Sequence, residues 1–163
     1  MKIITIRQPF ASALLTGTYD AERRKYRLSG PTLIHAAAKP GMSPDACAKW
    51  LRERGDESAA QALEWQAGLS EIEPADPLSD LAVTILASVA EFGEIFPFGR
   101  VVGYVADWEP VREGNEWANK PIGAVRFPVT ALLPTHRGTL GLLNAPDVIV
   151  SSVCGLIPQK GDK

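Results

Sequence analysis

The sequence is poor in the residues that build disulfides and metal sites. Its 163 residues include two cysteines, Cys47 and Cys154, and two histidines, and none of the four stands at a metal-ligand spacing. Isolated cysteines outside a CxxC pattern indicate reduced thiols and predict a cytoplasmic protein. The chain also lacks a GxGxxG motif or another glycine-rich phosphate loop. We therefore expect neither a metal nor a nucleotide cofactor.

Long apolar runs and a large net charge are lacking as well. No stretch approaches the roughly 20 apolar residues of a spanning helix, and "MKIITIRQPF" has no signal-peptide core, so no membrane contact is expected. A formal charge of −2 and a pI of about 5.7 exclude nucleic-acid binding through bulk charge, so any such contact must be local. The length and the ordinary share of apolar residues, 45%, predict one globular domain over residues 1–163.

Residues 1–39 predict a strand, a helix and two more strands. "KIITI" is rich in β-branched residues, as strands are. In "QPFASALLTG", Pro9 suits the first turn of a helix and Gly17 suits the position after its end. The segments "YDAERRKYR" and "PTLIHAAA" read as strands separated by turn residues.

The middle of the chain predicts a helical insertion at about residues 42–96. Ser43 and Asp56 are good caps for two successive helices. The apolar run "LAVTILASVAEF" fits a buried helix or a strand, and Ser79 before it favours a helix.

Strands return after the insertion. "GRVVGYVADWEPV", "AVRFPVTALL" and "TLGLL" have strand character, and Pro128 within the second places that strand at a sheet edge or divides it. The acids Glu109, Glu113 and Glu116 are interpreted as a polar loop that would repel phosphate. Strands on both sides of a helical insertion predict an α+β fold with a mostly antiparallel, closed sheet.

Several of these strings, in this order, resemble one family. "TIRQPFASALLTG", "ERRKYR" and "GPTLIHAAA" resemble the start of an ASCH domain, a member of the PUA-like superfamily, and "GRVVGYVADW" and "HRGTLGLLNAP" resemble its later strands and closing segment. The resemblance covers roughly residues 2–40 and 98–146, and the middle corresponds to a variable insertion. It implies a small mixed or antiparallel β-barrel with packed helices, and a cleft where the first helix meets the barrel.

The signature of this family is Gly-x-Lys-x-x-Glu-x-Arg after the first helix. Gly17, Glu22 and Arg24 match it, whereas Tyr19 stands at the lysine position. Family members have been linked to RNA or DNA binding, to hydrolysis of acylated cytidine by a lysine-dependent triad, and to ribonuclease activity. The resemblance therefore implies a site for RNA or a modified nucleoside, and it leaves catalysis open. Tyr19, Glu22 and Lys25 are the catalytic candidates.

The stretch "DAERRKYR" has two chemically different faces if it is a strand, because strand side chains alternate. One face holds Glu22, Arg24 and Tyr26, and the other holds Arg23, Lys25 and Arg27. On the first face, the acid and the guanidinium can read the edge of a base, with Tyr19 or Tyr26 for stacking, or they can simply pair with each other. The cations of the second face suit phosphates or a solvated strand edge.

Two further residues are binding candidates with structural alternatives. His35 either supplies acid–base chemistry or is a hydrogen-bonded core histidine. Gln8 opens the first helix, whose N–H groups can receive an anion or can simply start the helix. The tryptophans are predicted to pack in the core or the insertion.

The sequence thus favours an RNA- or nucleoside-binding domain. Two alternatives stay open: a hydrolase acting on nucleic acid or an acylated nucleoside, and a protein-interaction module built on the helical insertion.

Overall fold

The computed structural model describes residues 1–70, 96–128, 134–138 and 141–158. In this part of the chain the helices are α1 (Phe10–Thr16), α2 (Pro44–Arg52), α3 (Glu57–Ser70) and α4 (Asp147–Val153), the last followed by a 3₁₀ turn at Cys154–Leu156. The strands are β1 (Lys2–Ile6), β2 (Glu22–Arg24), β3 (Thr32–Ala36), β4 (Arg100–Glu113), β5 (Glu116–Arg126) and β6 (Leu143–Asn144).

The six strands form one mixed sheet in the order β2–β5–β4–β3–β1–β6. Strands β1 and β3 are parallel, with Ile6 opposite Ala36, and all other neighbours are antiparallel. The sheet curls into a half-barrel, so the expectation of a mixed α and β architecture is confirmed.

Helix α1 lies against the sheet through an unusually close approach. It starts after Pro9 and ends at Gly17, whose φ of 84° is left-handed and therefore favours glycine. Gly103 of β4 faces this helix: a Cβ there would overlap the Leu15 side chain and lie 2.6 Å from the Val125 carbonyl oxygen. Only glycine lets helix and sheet meet at this distance.

Helices α2 and α3 lie in the first part of the segment over residues 42–96, where the sequence predicts helices. The Ser43 hydroxyl accepts a hydrogen bond from the amide of Ala46 (3.3 Å), and the Asp56 carboxylate accepts one from Ala59 (3.1 Å), so both predicted caps are confirmed. The two helices bury a small apolar cluster that is separate from the core of the sheet. This cluster contains Cys47, Ala48, Leu51, Ala59, Ala60, Leu63 and Phe96. The run "LAVTILASVAEF" lies outside the described residues.

Strand β2 is shorter than the predicted strand over residues 20–27. It ends at Arg24, and the chain bends at residues 25–26. The buried amide of Asn119 causes this change: its oxygen accepts from the Leu28 amide (2.7 Å) and its nitrogen donates to the Glu22 carbonyl (3.1 Å). A side chain of β5 thus replaces the strand pairing that would extend β2.

The predicted acidic loop is instead a β-hairpin. Strand β4 contains Glu109 and runs to Glu113, and β5 begins at Glu116, so that only two residues, Gly114 and Asn115, form the turn. Gly114 has a φ of 57°, which fits a tight two-residue hairpin. The loop interpretation was therefore wrong. Pro128 follows the end of β5 and is not inside it.

Candidate functional site

A cleft of about 780 Å³ opens where the parallel strands β1 and β3 end. Because these strands run side by side in the same direction, the residues that follow them emerge at one edge of the sheet. Helix α1 and strand β2 supply further parts of the wall. Among the described residues, those that line the cleft are Thr5, Ile6, Arg7, Phe10, Tyr19, Glu22, Arg23, Arg24, Ala37, Ala38, Lys39, His136, Arg137 and Gly138.

A buried acid–guanidinium pair lies in this cleft. Glu22 Oε1 is 2.7 Å from Arg24 Nε, and Arg24 Nη2 donates to the Thr5 carbonyl (2.9 Å). Glu22 is only 7% exposed; this burial raises its pKa, and Arg24 acts against the rise. The pairing that the sequence offered as the structural alternative is therefore present. Arg24 is still partly exposed and lines the cleft, and its guanidinium has five N–H donors, more than the contacts with Glu22 and Thr5 use.

Aromatic side chains form one wall. The Phe10 and Tyr19 rings line the cleft with their centres 5.5 Å apart, and both touch Trp50 of α2, at 4.9 Å and 5.9 Å between ring centres. The Arg54 guanidinium covers Trp50 at 3.9 Å. Burial raises the pKa of the Tyr19 phenol, which therefore stays protonated at neutral pH. Tyr19 thus lines the cleft, and helix α2 supports this wall through Trp50.

Cationic side chains dominate the cleft although the whole chain is acidic. Among the described residues, five lysines and arginines line it, against one carboxylate, Glu22. Two of the five are neutralised: Arg24 by Glu22, and Arg23 by Glu113 at 3.1 Å and Asp20 at 3.6 Å. The other three, Arg7, Lys39 and Arg137, have no carboxylate within 4.0 Å in the described ranges. The cleft therefore suits an anion.

These three cations were not predicted as site residues. They are far apart in the sequence, and each is the only charged residue of its short segment, so no local pattern marks them. The parallel pairing of β1 and β3 was the missing information, because it brings the ends of both strands, and with them Arg7 and Lys39, to the same edge.

Four of the nine predicted binding residues, Tyr19, Glu22, Arg23 and Arg24, line the cleft, and the other five lie elsewhere. Gln8 is fully buried; its amide nitrogen donates to the Pro97 carbonyl (2.9 Å) and its oxygen accepts from the Ser12 amide (3.1 Å), which fits the helix-start alternative. Tyr26 packs half-buried against the core. Lys25 and Arg27 are exposed, and the Arg27 guanidinium lies 5.0 Å from the centre of the Trp117 ring.

The fifth, His35, lies directly behind the cleft and not in its lining. It is fully buried, with Nδ1 3.2 Å from the Thr5 hydroxyl and its ring edge-on to His136 at 5.3 Å. Thr5 also holds Arg24 through its carbonyl, so one residue connects the histidine to the acid–guanidinium pair. Burial lowers the pKa of His35, and His136 acts in the same direction.

We predict that His35 makes the fold sensitive to mild acid. Because folding lowers its pKa, the unfolded chain binds the proton first as the pH falls below about 6.5, and the folded state loses stability from there down to the folded-state pKa. Urea unfolding should show the free energy of unfolding falling between about pH 7 and pH 5.5, by at most about 1.4 kcal/mol per pH unit for this one group.

The two histidines of the chain provide a matched pair of variants for this prediction. His35→Asn should remove much of the pH dependence. His136→Asn should keep the larger part of it, because burial, the main cause of the lowered His35 pKa, remains when His136 is replaced. Folding raises the pKa of Glu22, so this residue acts in the opposite direction and stabilises the folded state as the pH falls. Because both variants keep Glu22, its effect is the same in the two measurements. Equal pH dependence in the native protein and His35→Asn would show that His35 does not titrate in this way.

The described residues contain no group of three or more histidine, cysteine, aspartate or glutamate side chains placed to hold a metal ion. Within the same residues, no helix has the length and apolar character needed to cross a membrane. No family model matches the chain, and no curated protein matches it.

Proposed function

We propose that the chain is an ASCH-type domain of PUA-like fold that binds RNA or a modified nucleoside in the cleft. The observation that carries this proposal is the composition of the cleft. One space of about 780 Å³ holds a buried Glu22–Arg24 pair, an aromatic wall and three cations that pair with no carboxylate among the described residues. Each part matches one component of a nucleotide. The curled mixed sheet is compatible with the PUA-like architecture.

In this proposal the base occupies the inner part of the cleft. Arg24 donates and Glu22 accepts hydrogen bonds at the base edge, an arrangement that distinguishes bases by their donor and acceptor pattern. The rings of Phe10 and Tyr19 give an apolar surface for the flat face of the base. Arg7, Lys39 and Arg137 hold phosphate. The exposed Lys25 and Arg27 offer a second phosphate contact for a longer RNA.

The salt dependence of RNA affinity tests this arrangement. For single strands, the logarithm of the binding constant falls by about 0.7 per phosphate contact for each unit of log salt. We expect the triple variant Arg7→Gln/Lys39→Gln/Arg137→Gln to lose about one to two units of this slope, depending on how many phosphate charges the three cations neutralise, for a labelled short single-stranded RNA with a terminal phosphate in fluorescence anisotropy. The matched control, Lys25→Gln/Arg27→Gln/Lys120→Gln, removes the same charge from exposed positions outside the cleft and should lose less.

The opposite ranking of the two triple variants would move the RNA contact from the cleft to the strand face. Absence of binding by any short RNA or nucleoside would refute the proposed function.

A hydrolase is the second candidate. Tyr19 stands where the ASCH signature has its lysine, and Tyr19 and Glu22 both line the cleft. A protonated phenol is a poor base at neutral pH, so we expect the native protein not to deacylate acetylated cytidine. Tyr19→Lys should introduce deacylation that is measurable by chromatography of the product. Tyr19→Phe should stay inactive. Efficient deacylation by the native protein, with no gain from lysine, would favour the enzyme over the binding module.

A further inference from the structure

We propose that the phosphate bound in the cleft is a terminal phosphate monoester, carried by a mononucleotide or by the end of an RNA, and not an internal phosphodiester. This inference rests on the proposed function, which it makes more specific. It follows from the charge of the cleft, from the backbone hydrogen bonds that fix the segments carrying the cations, and from the volume of the cleft.

The charge of the cleft exceeds what one phosphodiester can neutralise. Glu22 neutralises Arg24, and acidic neighbours neutralise Arg23, which leaves Arg7, Lys39 and Arg137 without a carboxylate partner in the part of the chain that the structure describes. An internal phosphodiester carries one negative charge. A phosphate monoester carries about 1.5 to 2 at neutral pH and presents three strong acceptor oxygens. Three cations around one group therefore match the monoester.

The backbone holds two of these cations at the same edge of the sheet. Arg7 stands between β1 and α1, and its carbonyl accepts from the Ala11 amide (3.1 Å). Lys39 follows β3, where the Ala37 amide donates to the Ile6 carbonyl (2.9 Å) and the Gly41 amide to the Gln8 carbonyl (2.9 Å). The two connecting segments are thus hydrogen-bonded to each other, which fixes the backbone positions of Arg7 and Lys39.

The third cation is held by the segment over residues 134–138. The Val101 amide donates to the Pro134 carbonyl (3.1 Å), and the His136 amide donates to the Gly99 carbonyl (3.3 Å). At Gly138 a Cβ would lie 3.0 Å from Thr5 Cγ2 and 3.1 Å from His35 Cε1, so this glycine lets the segment lie directly on the floor of the cleft. Arg137 is thereby placed beside the ends of β1 and β3.

The cleft also has the size of a site for one small ligand. Its volume of about 780 Å³ falls within the roughly 300–1,000 Å³ of small-molecule pockets. Such a space holds a nucleotide or a chain end, whereas a sequence-tolerant track along single-stranded RNA covers several nucleotides. The size therefore agrees with the charge in favouring a terminal group.

Isothermal titration with matched ligands tests the inference. The ligands are the four ribonucleosides, their 5′- and 3′-monophosphates, dinucleoside monophosphates that carry only a phosphodiester, and tetranucleotides with and without a terminal phosphate. We expect at least one monophosphate to bind about tenfold or more tightly than its nucleoside and than the corresponding dinucleoside monophosphate. Tight binding of the mononucleotide alone identifies a free nucleotide as the ligand, and equal binding of the phosphorylated tetranucleotide identifies an RNA end.

Single variants assign this gain to the cleft. Arg137→Gln and Lys39→Gln should each reduce the ratio of monophosphate to nucleoside affinity several-fold and leave nucleoside affinity unchanged. The control Lys120→Gln, at an exposed position of β5 outside the cleft, should preserve the ratio. Binding of nucleosides and dinucleoside monophosphates with no gain from a terminal phosphate would overturn this inference and leave the proposed function standing. No binding by any of these ligands would overturn both.

Discussion

Replacement of Arg24 by alanine should lower the affinity of the cleft for RNA or nucleoside by about 10- to 100-fold, because charged hydrogen bonds contribute about 1.5–3 kcal/mol each. Arg24 lines the cleft, matches the arginine of the ASCH signature that the sequence resembles, and carries donors beyond those used by Glu22 and Thr5. The same variant should also destabilise the fold. It leaves the Glu22 carboxylate, 7% exposed, without its partner, which costs about 1–3 kcal/mol.

Two further variants separate the loss of the ligand contact from the loss of stability. Glu22→Gln/Arg24→Gln removes both charges together, so we expect it to recover much of the stability and none of the affinity. Arg112→Ala removes an exposed arginine of the β4–β5 hairpin and should leave affinity near that of the native protein. Titration calorimetry below the melting temperature, together with urea unfolding, measures both effects. Native affinity in Arg24→Ala would exclude Arg24 from the binding site.

Replacement of Gly103 by alanine should destabilise the protein by about 1–3 kcal/mol, the usual range for overpacking. The added Cβ would lie 2.6 Å from the Val125 carbonyl oxygen, and this oxygen belongs to the neighbouring strand and cannot swing away as a side chain does. The Leu15 side chain would also have to move, which shifts helix α1 from the sheet. Urea unfolding measures this loss.

A second glycine supplies the control for this substitution. Gly68 lies in helix α3 and is exposed, and among the described residues no neighbouring atom would lie within 4 Å of a Cβ added there. Gly68→Ala should therefore stabilise the protein by up to about 1 kcal/mol, because alanine has the higher helix propensity. Equal stability of Gly103→Ala and the native protein would show that α1 and β4 have more room than the structure gives them.

The local elements could be predicted because their signals are local. Pro9 and Gly17 bracket helix α1, Ser43 and Asp56 cap the insertion helices, and β-branched residues mark β1. The placement of Glu22 and Arg24 on one face also follows from strand alternation alone, and their ion pair is observed.

What could not be predicted depends on contacts between distant residues. Asn119 ends β2 from a strand about 95 positions later, and no feature of "ERRKYR" announces it. The acidic residues around positions 114–115 led to the prediction of a loop, although a glycine next to an asparagine is a hairpin signal. Arg7, Lys39 and Arg137 line one cleft because β1 and β3 are parallel and the segment over residues 134–138 lies beside the ends of these strands.

The location of the ligand is the central claim, and a ¹H–¹⁵N NMR titration with RNA and nucleoside monophosphates tests it most directly. We predict that the largest shift changes occur at the amides of Arg7, Lys39, residues 22–24 and residues 136–138, which surround the cleft. Changes confined to helices α2 and α3, or to the hairpin turn at residues 113–116, would contradict the account.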